Sequence, residues 1–212
     1  MGIRENNIAE TIKDIEAAIT RDNIIIQTVH TIDETSKCVN RLTVCLRERY
    51  GLYAPLTAKL REEDFMQRIN EIKKEEMGID LKKEDLESIK QIIIEIKELK
   101  KFNDKQEQYL TNLMNDICPR LLETATAIIG ARLIDYAGSL KRLAELPSST
   151  IQVLGAEKAL FRHLKSKSKT PKFGVIFAHK QITEAENKGK TARQLASKIS
   201  IATKIDYFKH GN

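Results

Sequence analysis

Lys158, Arg162 and Lys165 stand at i, i+4 and i+7 behind the run Gly155-Ala156-Glu157. On an α-helix this spacing places three cations on one face. A helix start adds free N–H groups and the positive end of the dipole, both suited to phosphate. Gly155 has no Cβ and Ala156 is small, so a sugar-phosphate chain could come close to the backbone. Glu157 suits the dipole, and it could orient the loop or accept a hydrogen bond from a base amino group or a ribose hydroxyl. Lys167, Lys169 and Lys172 carry the charge along the next loop, and Lys188, Lys190 and Arg193 make a second cluster at another helix start. Phe173, Phe177 and His179 could stack on an exposed base, although for the two phenylalanines a place in the core is the commoner use. This is the chemistry of a phosphate-contacting surface in residues 155–193. The competing reading is a solvated lysine-rich surface.

Catalytic chemistry finds little support. The histidines, His30, His163, His179 and His210, are scattered and show no metal-ligand spacing. No phosphate loop of the Walker type and no G-x-S-x-G elbow occurs. Glu62 and Glu63 are adjacent, so on a helix they diverge and make a poor acid–base pair. The chain is therefore expected to be no enzyme, with no catalytic residue, no metal and no cofactor. Cys38, Cys45 and Cys118 form no C-x-x-C pair and read as reduced thiols.

The 212 residues carry 36 Lys+Arg and 30 Asp+Glu, a net charge of +6. The charge is uneven. Residues 141–212 hold 15 basic and 5 acidic side chains, against 21 and 25 in residues 1–140. A basic third on a mildly acidic body points to a local polyanion site. The first twenty residues are charged throughout and no apolar run is long enough for a bilayer, so neither a signal peptide nor a membrane partner is expected.

The elements that must position these cations read as helices. Only nine Gly and four Pro interrupt the chain. From Asn7 to Glu48, Ile12, Ile15, Ile19, Ile26, Val29, Ile32, Val39, Leu42 and Leu46 form one apolar stripe, broken at Asp22 and Asp33. Gly51 and Pro55 should end that helix. Residues 56–77 look helical and heavily charged, with a break at 77–80. Further helices are expected at 83–101 (Leu86, Ile89, Ile93, Ile96), 104–117, 120–144, 156–164 and 190–207. Ala125, Ala127, Gly130 and Ala131 would allow close helix approach. Thr150–Leu154 and Gly174–Phe177 read as short extended pieces. The fold class is all-α: a long antiparallel coiled-coil-like arm, residues 1–118, then a compact helical domain, residues 119–212.

Several motifs in order resemble the Nop family. Leu46–Pro55 (L-R-E-R-Y-G-L-Y-A-P) is similar to the family's turn after its first long helix, with Asn40-Arg41-Leu42 upstream. Gly130–Ile134, Ala137–Leu140, Pro147–Gln152, Gly155–Arg162, Thr170–Gly174 and Gly189–Arg193 follow. The resemblance covers residues 20 to 208. Arg49 stands where the family more often has Trp, and Ala54 where Phe is usual. The family includes the archaeal box C/D scaffold of RNA-guided 2′-O-methylation, nucleolar relatives active in rRNA processing, and a pre-mRNA-processing component. The resemblance implies an RNA-binding ribonucleoprotein scaffold. Its domain, residues 119–212, would dock on a kink-turn RNA already held by a small kink-turn-binding protein. It implies a homodimer through the arm, and fibrillarin as partner only where an N-terminal domain precedes the arm. The composition favours an archaeal member, hence the cytoplasm, with the nucleus as the place for a eukaryotic one. A protein-only coiled-coil adaptor with an incidental basic face is the alternative.

Overall fold

The computed structural model describes residues 4, 7, 8, 10–12, 20–166 and 169–210. Ile15, Ile19 and Lys167 lie outside the described residues. The fold is all-α: among the described residues the elements are α-helices and short 3₁₀ turns, with no strand. Among the described residues no helix is long and apolar enough to cross a membrane. Contacts group residues 31–106 into one compact unit and residues 1–30 with 107–212 into another. This grouping is drawn from packing, whereas a division at 118/119 follows composition.

In the unit of residues 31–106, helix α1 (Arg21–Tyr53) and helix α4 (Lys83–Ile117) contribute to one core. Val39, Leu46 and Tyr50 of α1 are buried with Ile89, Ile93 and Ile96 of α4, together with Phe65 and Ile69. These residues recur at steps of three, four and seven, the spacing that keeps one helix face inward. Gly51 does not end α1. It lies within the helix, where a Cβ would stand 3.4 Å from the Cβ of Ala58 in the following short helix α2 (Pro55–Ala58). The expected helix over 56–77 is also corrected. Only α2, α3 (Glu62–Arg68) and a 3₁₀ turn (Ile69–Glu71) form, and Ile72 then turns left-handed with φ +35°.

The chain after Ile72 folds back because its polar groups serve the end of α1. Glu75 N–H donates to the Tyr53 carbonyl and Ile79 N–H to that of Leu52. The Glu75 carboxylate accepts from Leu56 N–H (2.6 Å), Thr57 N–H (2.9 Å) and the Thr57 hydroxyl (2.6 Å), capping α2 from a distance. Arg47 closes the same corner: its guanidinium donates to the Ala58 and Leu60 carbonyls and lies 4.3 Å over the Phe65 ring.

The Thr57 hydroxyl bond is the main reason that Glu75 titrates below the ordinary carboxylate value of 4.5. A depressed carboxylate pKa means stability that is present above the unfolded value and lost as pH falls through the folded one. Below pH 4.5 the wild-type urea midpoint is therefore expected to fall more steeply than that of Glu75→Gln. Parallel acid profiles would contradict the cap.

The helices expected at 83–101 and 104–117 are one, α4. Asn103 and Asp104 carry no helix-breaking backbone constraint, so the helix continues through them to Leu110, Leu113 and Met114, which are buried. Its start is closed by Asp85, whose carboxylate accepts from Lys82 N–H at 3.1 Å.

In the other unit, the expected helix over 120–144 is three: α5 (Pro119–Ala125), α6 (Ala127–Ala137) and α7 (Leu140–Glu145). The breaks sit where the backbone takes positive φ, at Thr126 (+68°) and Gly138 (+88°). Gly130 lets helices close in, since a Cβ there would meet the Met114 methyl at 2.7 Å. Thr150–Leu154 is not extended: Ser148–Val153 forms α8. Helix α9 spans Glu157–Ser166. Val175–Ala178 is a 3₁₀ turn where an extended piece was expected, followed by α10 (Lys180–Thr183) and α11 (Lys188–His210). Helix α11 is the centre of the unit, packing on α5, α7 and α8. Ala192, Leu195, Ala196, Ile199 and Ala202 are buried there.

Two buried carboxylates bind distant helix starts in this unit. Asp206 accepts from the N–H groups of Arg120 (3.2 Å) and Leu121 (2.8 Å), and Asp22 accepts from Leu140 N–H at 2.7 Å. The break that Asp22 makes in the apolar stripe thus caps α7. Cys118 lies beside both: burial first, then these carboxylates, push its thiol up to about 12, which leaves it an inert core group. Asp206→Ala should cost about 1–3 kcal/mol, because the buried Leu121 N–H and the part-buried Arg120 N–H lose their acceptor. In a thermal melt this reads as a fall of roughly 2–12 °C. An unchanged melt would show that the N–H groups find other partners.

Candidate nucleic-acid interface

Gly155 opens the site in a left-handed conformation, φ +86°. A Cβ there would stand 2.4 Å from the Val175 Cγ2 and 3.2 Å from the Tyr136 ring. The missing Cβ thus first serves the chain's own packing, not only the approach of a ligand. Its N–H donates to the Glu157 carboxylate at 2.7 Å, so Glu157 orients the loop from the first turn of α9. Ala156 is half-buried, and its carbonyl accepts from Ala159 and Leu160 as the helix begins.

Helix α9 buries none of its side chains. Lys158, Arg162 and Lys165 are exposed along it, at the spacing that shares a face. His163 Nε2 lies 3.1 Å from the Thr170 hydroxyl, which joins α9 to the basic loop after it.

That loop is held against α8 by its backbone. Gly174 N–H donates to the Gln152 carbonyl (2.9 Å), Val175 N–H to that of Leu154 (2.8 Å), and the Gln152 side-chain amide to the Lys172 carbonyl (2.6 Å). The start of α11 lies across from it. Asn187 caps that helix, its side-chain oxygen accepting from Lys190 N–H at 3.1 Å.

Between them is a cleft of about 540 Å³, lined by Gln152, Lys169, Thr170, Pro171, Lys172, Asn187, Gly189, Lys190 and Arg193. The structure therefore brings Lys172, Lys190 and Arg193 together with Lys169, while Lys158, Arg162 and Lys165 stand on the adjoining helix. Among the described residues the cleft lining holds four cations and no carboxylate. A groove of this composition gathers like charge and attracts a polyanion. Gln152 and Asn187 are cleft residues that the reading for cations passed over. Their signal was weak: an amide between two glycine-bounded segments, and an Asn three residues before a helical lysine.

The three aromatic candidates separate. His179 is buried; its Nδ1 accepts from Gln181 N–H (3.3 Å) to cap α10, and burial lowers its pKa. A histidine so placed is structural and offers no stacking face. Phe173 and Phe177 stack on each other, centroids 4.7 Å apart and planes 13° off parallel. The place in the core expected for both is corrected for Phe177, which is 40% exposed. Among the described residues no group of three or more His, Cys, Asp or Glu is placed to hold a metal ion.

The Nop family model, described as snoRNA binding domain, fibrillarin, matches residues 10–212. Nucleolar protein 56 of Homo sapiens is 35% identical over 221 residues, which cover 88% of this chain and 37% of that protein. The Dictyostelium discoideum protein of that name is 37% identical over 221 residues, 88% of this chain and 41% of that one. The chain thus spans well under half the length of these relatives. Among solved structures, a chain in the crystal structure of a fibrillarin/Nop5p complex superposes with a TM-score of 0.57 at 28% identity. The match covers 99% of this chain and 70% of that one.

Proposed function

We propose, from the premise that this chain belongs to the Nop family, that it is a ribonucleoprotein scaffold without catalytic activity of its own. Its cleft and α9 dock on a kink-turn RNA together with a small kink-turn-binding protein, as in box C/D RNA-guided 2′-O-methylation particles. The observation that carries this reading is the convergence of Lys169, Lys172, Lys190 and Arg193, from two separate chain segments, on one cleft. Phosphate contacts from such a cleft supply affinity and register without reading sequence.

Helix α9 supports the composite partner. Beside its cations it exposes Leu160, Phe161 and Leu164, the last at 70%. Apolar side chains left in water beside a phosphate-binding face suit a protein surface held next to the RNA. The functional parts proposed are a helical arm, residues 1–118, and the RNA-docking domain, residues 119–212. Val44 and Ile94 are exposed on the arm's helices and are available to a second copy. Fibrillarin enters only through a domain preceding the arm. The site of action proposed is the cytoplasm of an archaeal cell, or the nucleolus in a eukaryote.

A gel shift tests the reading with a kink-turn RNA, with and without its small binding protein. A shift is expected with both components, weakened by Phe161→Ser and Leu164→Ser. No shift in either combination would leave the coiled-coil adaptor as the better account.

A further inference from the structure

Phe177 is an aromatic ring held rigidly at the surface. It belongs to the 3₁₀ turn Val175–Ala178, whose neighbour Ile176 is fully buried. The turn is pinned to α8 by the Gly174 and Val175 N–H bonds already described. Phe173 backs the ring in a parallel stack. The Lys188 ammonium lies 5.7 Å from its centroid. The pair is also joined to the basic cleft through the chain itself: Phe173 follows Lys172, and Lys188 sits between the cleft residues Asn187 and Gly189. A backed, exposed ring beside a row of phosphate-binding cations is the composition of a base-stacking platform.

Resting on the RNA reading above, we propose that Phe177 receives an unpaired nucleobase of the bound RNA. Lys188 exchanges its contact with the ring for the phosphate of that nucleotide. The cleft holds the backbone and the ring holds the base, so the site takes single-stranded nucleotides next to the docked duplex. Stacking on an aromatic ring tolerates any base and does not depend on salt as phosphate contacts do.

The test compares two kink-turn RNAs bound to the small partner protein, one blunt-ended and one carrying a short single-stranded extension. The full chain should bind the extended RNA about tenfold more tightly, within the range that one base stack supplies. Phe177→Leu, which keeps an apolar side chain against Phe173, should abolish that preference. Phe177→Trp should retain it, with the wild-type salt slope on the extended RNA. A preference that survives in Phe177→Leu, or is absent from the wild type, would overturn the proposal while leaving the cleft intact. Binding of neither RNA would remove the function proposed above along with it.

Discussion

Replacing Lys172, Lys190 and Arg193 together by Ala is expected to take a large part of the salt-sensitive affinity for RNA from this chain. Each phosphate neutralised contributes about 0.9 to the slope of log K against log salt, so three contribute about 2.7. Between 50 and 200 mM salt the advantage of the wild type over the variant should then shrink roughly 40-fold. All three side chains are exposed, so the fold has little reason to change. The hydrogen bonds that shape the cleft come from elsewhere: the Gln152 amide, the Asn187 side chain, and backbone N–H groups. An unchanged melting temperature alongside the lost slope is therefore part of the expected result. A variant with the wild-type slope would show that these cations are merely solvated.

The second large effect is expected from a single methyl group. Gly174→Ala would place a Cβ 1.9 Å from the Leu154 carbonyl oxygen and 2.8 Å from the Val153 carbonyl carbon. Both obstacles are backbone, which cannot rotate aside. Either the turn moves and the Gly174–Gln152 and Val175–Leu154 hydrogen bonds break, or α8 deforms. A cost of about 3 kcal/mol or more follows, at the upper end for overpacking. A 212-residue chain should melt roughly 6–12 °C lower, and the cleft should lose its wall and its affinity. Gly155→Ala is the informative comparison. It suffers the positive φ, about 1–2 kcal/mol for an L-residue, but its closest obstacle is a Val175 methyl and not backbone. Gly138→Ala, also at positive φ, meets only the Arg142 side chain at 3.6 Å and should be the mildest. If the order of melting temperatures does not place Gly174→Ala lowest, the backbone pairing of 152–154 with 174–175 is not what holds the loop.

These two predictions mark where the sequence was readable and where it was not. The steps linking Ile32, Val39 and Leu46 report a helix face directly, and all three are buried. Yet Ile25 is fully buried and Ile26 only partly, because in Arg21–Tyr53 the face is set by contacts with other elements as well as by spacing. The break at Thr126 was not legible, since threonine gives no sign of positive φ, whereas Gly138 did carry one. Ser148–Val153 is rich in hydroxyl and β-branched residues, which favour extended chain locally. Packing on α11 makes it helical instead. The cations of the site were legible by type and spacing. Their convergence was not, because it depends on Gln152 and Gly174 meeting across a loop and on Asp206 fixing α5 to α11. Neither pairing has a local signature.

Photocrosslinking shows whether RNA lies in the cleft between Lys169–Lys172 and Asn187–Arg193. A kink-turn RNA carrying photoreactive uridines, bound with its small partner protein, is irradiated and the attached peptides are sequenced. Crosslinks are expected in residues 152–177 and 187–193. Crosslinks confined to residues 62–101, with both cleft segments unmodified, would contradict it.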